Sequence, residues 1–159
     1  MEIKDLFGLP AHPLVVHAAV VLLPLAAIAA IVAAAIPRLR PYYAPVALVL
    51  ALGATASVGL AQQTGESLQE RVPETRLVED HVEMGQTVLP WAVAVTVAAA
   101  AATAAPFAMR KREVSARTVT GVLLAASIIV GAGAIYSVAE VGHSGAKATW
   151  SKVDAGGGG

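Results

Sequence analysis

Cysteine is absent from the 159-residue chain. That absence excludes disulfides, thiolate metal sites, iron–sulfur clusters ligated by this chain and covalently attached c-type haem. Charge is scarce as well. Asp, Glu, Lys and Arg make up 14% of the residues, well below the quarter typical of a soluble domain. The 11 basic and 11 acidic residues cancel, so no net field draws the chain to nucleic acid. Aromatic residues are few. Gly-rich phosphate loops, His-Glu-x-x-His and Gly-x-Ser-x-Gly are missing, so neither a hydrolase nor a transferase is indicated, and whether the chain is an enzyme is left open. Histidine and carboxylates are the only strong metal ligands left.

What the chain does have is apolar sequence, at 57% of residues. Four stretches are long enough to span a bilayer: 14–36, 43–61, 84–109 and 118–141. About 20 residues of helix cross a hydrocarbon core of about 30 Å. No strand pattern competes, because strict apolar/polar alternation is absent. The first stretch follows no basic segment and is too long for a signal-peptide core, so it is expected to be retained. The fold expected is all-α: an integral-membrane four-helix bundle of up-down topology. Residues 1–146 form its single domain, and residues 147–159 are expected as a flexible polar, Gly-rich tail.

Loop charge sets the expected orientation. Arg38 and Arg40 lie between the first two spans, and Arg110, Lys111, Arg112 and Arg117 lie between the last two. Short basic loops face the cytoplasm. The acidic loop between the middle spans, with Glu66, Glu70, Glu74, Glu79, Asp80 and Glu83, then faces out, as do both termini. The expected location is the cell membrane. Pro24 and Pro90 are expected to bend the first and third helices. Small-residue pairs (Gly53 and Ser57, Gly121 and Ala125, Gly133 and Ser137) suit close helix packing. A faint internal repeat aligns residues 21–26 with 87–92, and Gly65-Glu66-Ser67 with Gly142-His143-Ser144.

Histidine carries whatever chemistry is present. His12, His17, His81 and His143 come from three segments and all fall at the expected outer level. His17 lies within a span, where ionisable groups are costly and usually functional. Each also has an ordinary reading: an interfacial side chain for His12 and His143, a solvated helix start for His81, an interhelical hydrogen bond for His17. The residues alone leave open a haem site, a shared transition-metal site on all four histidines, and a structural or proton-handling cluster. For haem, helices one and three of an up-down bundle lie on a diagonal of about 11–14 Å, which two imidazoles and an iron can bridge. His17 and His81 lie closest to the hydrocarbon on those helices and are the expected axial pair, with His12 and His143 supporting them. Gly85, one turn after His81, would let a flat cofactor approach.

The segment His12-Pro13-Leu14-Val15-Val16-His17 resembles the His-Pro-x-x-x-His opening of the bacterial four-helix membrane family known as domain-of-unknown-function family 2231. His81 with Gly85 resembles that family's third-helix pattern, and Gly142-His143-Ser144-Gly145-Ala146 its close. The resemblance covers nearly the whole chain. It departs at Ala18, where Phe is common, and at Trp150, near an expected Tyr. The family is similar in layout to haem b membrane cytochromes, and some relatives carry a Rieske-type domain. The resemblance therefore implies a redox setting and no particular reaction. Three functions stand: a haem b electron-transfer or redox accessory protein, a non-haem Cu, Zn or Fe protein, and a cofactor-free accessory subunit. Expected partners are the lipid bilayer and a quinone or an extracytoplasmic redox protein, with oligomerisation left open.

Overall fold

The computed structural model describes residues 5–6, 9–109 and 115–156, and side chains over 12–109 and 115–150. A short antiparallel pair, β1 (Asp5–Leu6) and β2 (Leu9–Pro10), precedes five helices. These are α1 (Ala11–Ala35), α2 (Arg40–Gln69), α3 (Arg76–Gln86), α4 (Val88–Met109) and α5 (Ala116–Gly156). Four helical units are long and apolar enough to cross a membrane, with α3 and α4 together making the third. The protein is a multi-pass membrane protein built as a four-helix bundle.

Three of the four expected spans lie inside one of these units, and the first, 14–36, overruns its unit by one residue at Ile36. The helices overrun the apolar runs: α2 continues into the acidic segment as far as Gln69. Residues 147–156, expected as a flexible tail, continue α5 as helix. Thr75 caps α3 by accepting the backbone N–H of Val78 with its side chain. Pro90 does not bend a helix from within. It lies in the first turn of α4, just past the break at Thr87, where its missing N–H ends the continuous ladder. Pro24 does lie inside α1, and α4 contains Pro106.

α1 packs on α2 and α5, and α4 packs on the same two from the other side, so α1 and α4 face each other diagonally. The core between them is alanine-rich, including Ala26, Ala30, Ala47, Ala99 and Ala102. Apart from Leu23, Val58, Val88 and Val95, which join the core, many large branched residues point outward, Val49, Val97 and Ile129 among them. A bilayer explains this inversion. Lipid is as apolar as leucine, so burying large side chains between helices gains little, and small residues let backbones pack closely. Arg40 is the exception. Its guanidinium is buried, donating from Nε to Ala33 O and from Nη2 to Ala34 O, both at 3.2 Å, and to Thr120 Oγ1 at 3.0 Å. It thus satisfies carbonyls at the C-terminal end of α1, where a cation also meets the negative pole of the helix.

The two hairpins repeat, but in a register different from the expected one. Buried positions of α1 match those of α4 as Ala19 with Val88, Leu23 with Ala92, Ala26 with Val95 and Ala30 with Ala99. Those of α2 match α5 as Ala47 with Ser127, Ala51 with Gly131 and Ala54 with Ala134. In this register His12 corresponds to His81, and Thr64-Gly65 to Ser144-Gly145. The expected match of Pro24 to Pro90 is off by three residues, and that of Gly65 to Gly142 likewise.

Candidate histidine site

His12 stands at the start of α1, just ahead of the apolar run. Its Nδ1 lies 3.0 Å from Ala61 O and 3.3 Å from Thr64 Oγ1, both on α2. A carbonyl only accepts, so Nδ1 is assigned the proton and Nε2 carries the lone pair. Thr64 donates its own hydroxyl back to Leu60 O at 2.8 Å and is thereby held in place. The ring lies over Gly65, where a Cβ would come within 3.1 Å of the imidazole Cε1.

His81 on α3 repeats this arrangement against α5. Its Nδ1 is 2.9 Å from Ser144 Oγ. The single hydroxyl proton of Ser144 goes to Val141 O at 2.9 Å, so Oγ accepts from the imidazole. His81 is therefore assigned the same tautomer, again with Nε2 free of protein partners among the described residues. The ring covers Gly145, whose Cβ would stand 3.0 Å from Cε1.

Both histidines lie outside the apolar spans and both are half-buried. Burial pushes the His12 pKa below its ordinary value, opposed by the bond to the Ala61 carbonyl. Burial also lowers that of His81, helped by the charge His12 would carry and opposed by the Val141 carbonyl. Two half-buried imidazoles thus come from α1 and from the α3–α4 unit that lies diagonally across the bundle.

The other two histidines do not join them. His17, expected as one of the axial pair, is exposed on α1, its Nδ1 bonded to Pro13 O at 2.6 Å. His143 is also exposed. Among the described residues no group of three His, Asp or Glu side chains is close enough to hold one ion, so the four histidines do not converge. Gly85 has open space where a side chain would stand, and its carbonyl accepts Gln62 Nε2 at 3.1 Å. The sequence analysis did not single out Thr64, and it named Gly65, Ser144 and Gly145 only as members of the repeat and of the closing motif, not as seats for histidine. Their signal was a hydroxyl residue followed by glycine near the ends of the second and fourth spans.

A second feature adjoins His81. A groove of about 310 Å³ lies between α3, α4 and α5, with Thr87, Trp91, Tyr136 and Glu140 among its lining. Trp91 enters it over Gly133, where any Cβ would overlap the indole ring.

A family model described as predicted membrane protein, domain-of-unknown-function family 2231 (DUF2231), matches residues 8–154. The chain belongs to that family. Comparisons with curated proteins and with solved structures give no match.

Proposed function

We propose that this DUF2231 member is a b-type haem protein of the cell membrane, passing electrons to or from a membrane quinone or an extracytoplasmic redox protein. His12 and His81 would hold the haem iron, and the histidine end of the bundle faces out of the cell. One observation carries the reading: two half-buried imidazoles, each anchored through Nδ1 on the neighbouring helix, with no protein partner on either Nε2 among the described residues.

The donor set suits haem better than a bare ion. A transition-metal ion held by protein alone takes three or four ligands, and a third is lacking among the described residues. Haem brings four nitrogens of its own and asks the protein for two axial groups, supplying one-electron chemistry once bound. The Nδ1 bonds fix each ring's tautomer and orientation and make Nε2 a better donor. Open space at Gly85, one turn from His81, accommodates a flat group on that side. Orientation follows the basic loops carrying Arg38, Arg40 and Arg117. The absorption spectrum of protein expressed with haem supplied tests the proposal. A Soret band dependent on His12 and His81 is expected, and its absence removes the haem reading.

A further inference from the structure

The repeat offers an internal comparison for the groove beside His81. Two of its lining positions are shared with the first hairpin: Gly133 corresponds to Gly53, and Ser137 to Ser57. The packing is shared too, since Leu22, the counterpart of Trp91, lies 3.6 Å from where a Gly53 Cβ would stand. The rest differ. Ala18 is replaced by Thr87, Leu22 by Trp91, Ala56 by Tyr136 and Leu60 by Glu140. Packing demands are alike in the two hairpins, yet only the second carries an indole, a phenol, a hydroxyl and a carboxylate along one seam.

We propose that this groove binds the ring of a membrane quinol or quinone. The volume, about 310 Å³, is at the small end of ligand pockets, suited to one substituted ring with its tail left in lipid. Trp91 gives a flat aromatic wall at the groove floor, and Tyr136 stands 67% exposed at its mouth. The Thr87 hydroxyl gives its proton to Met84 O at 2.7 Å, which leaves the Ser137 hydroxyl, 3.2 Å from Thr87 Oγ1, to donate to a ring oxygen. The Glu140 carboxylate can accept from a ring hydroxyl, a charge-assisted bond. Ile135, next to Tyr136, and Val93, two residues past Trp91, are exposed apolar side chains, which suits access from lipid. Glu140 lies one turn before Ser144, the residue bonded to His81, and Met84 in the lining lies one turn after His81. Ring and imidazole thus share one seam, roughly one to two helical turns or 5–11 Å apart along the axis. As an electron partner the ring rests on the haem reading; as a ligand it does not.

The chain has two tryptophans, so Trp150→Phe leaves Trp91 as the sole indole reporter. Titration of that variant in detergent with a short-chain benzoquinol, the reduced ring whose hydroxyl the Glu140 carboxylate would accept, is expected to quench fluorescence saturably. Thr87→Ala/Tyr136→Ala/Glu140→Leu rebuilds the groove with the residues of the first hairpin, and should weaken binding at least about tenfold. Should that triple variant fail to insert, Glu140→Leu alone carries the test, with a loss of about tenfold for one charge-assisted bond. Linear, unsaturable quenching in the parent, or unchanged affinity in the variants, overturns the proposal. Saturable quenching in protein that never shows a Soret band keeps the groove and removes the haem reading; a Soret band without saturable quenching does the reverse.

Discussion

The imidazole of His81 is held by the hydroxyl of Ser144, 2.9 Å away, and Ser144 is held in turn by the Val141 carbonyl. His12 stands in the same relation to Thr64 and Ala61 in the other hairpin. A side chain poised by a bonded neighbour is what ligand duty requires, and each link can be cut separately.

Ser144→Ala removes the acceptor of His81 and should cost about 1 kcal/mol, the worth of one net hydrogen bond. Thermal unfolding in detergent, followed by circular dichroism, reads this as a lowered midpoint. Ser67→Ala is the control, since Ser67 bonds only to Gln63 O on its own helix. Equal midpoints for both variants would mean that the Ser144 bond contributes nothing.

Gly65→Ala and Gly145→Ala each drive a methyl against an imidazole at 3.1 and 3.0 Å. Overpacking of this kind costs about 1–3 kcal/mol. Gly142→Ala meets nothing within 4 Å, and its midpoint should be unchanged or raised. A harmless Gly145→Ala would show that the His81 ring is free to leave its seat.

The lowered pKa values of His12 and His81 give stability a pH dependence of definite sign. As pH falls through 6.5, the ordinary histidine value, the unfolded chain takes up protons that the folded chain resists. Stability is therefore fullest above 6.5 and declines below it. The unfolding midpoint should be lower at about pH 5.5 than at about pH 7.5. The difference should shrink in His12→Gln/His81→Gln. A midpoint that rises on acidification would mean the pair is held charged.

Orientation is tested by single cysteines, which the cysteine-free chain makes unambiguous. Arg38 and Ser115 are exposed positions in the basic connections, and Lys147 is exposed at the histidine end. Lys147→Cys should react with a membrane-impermeant reagent on intact cells, while Arg38→Cys and Ser115→Cys should not. Arg40 is unsuitable for a label because it is buried against α1. The reversed pattern would place the histidines on the cytoplasmic side.

The spans were legible because a run of about 20 apolar residues has few alternatives. The diagonal placement of α1 and α4 followed from short loops and up-down order. Helix phase did not follow. His12 and His17 are five residues apart, roughly 140° around a helix, so one facing the bundle sends the other outward. Depth in the membrane favoured His17, whereas the seat over Gly65 selects His12. The repeat register was hidden for a related reason: in alanine-rich helices many alignments look alike, and burial, which discriminates among them, is a property of the fold. The polar stretch after Lys147 reads as a tail by composition. Yet it carries alanine and lysine, good helix formers that extend α5.

The central claim is that His12 and His81 hold a haem, and one difference spectrum, reduced minus oxidised, tests it across five proteins expressed with haem supplied. The parent should show a Soret band. His12→Ala and His81→Ala should each abolish it, while His17→Ala and His143→Ala should retain it, because those two side chains face away from the pair. A parent with no Soret band, or a band that survives His12→Ala or His81→Ala, would contradict the assignment.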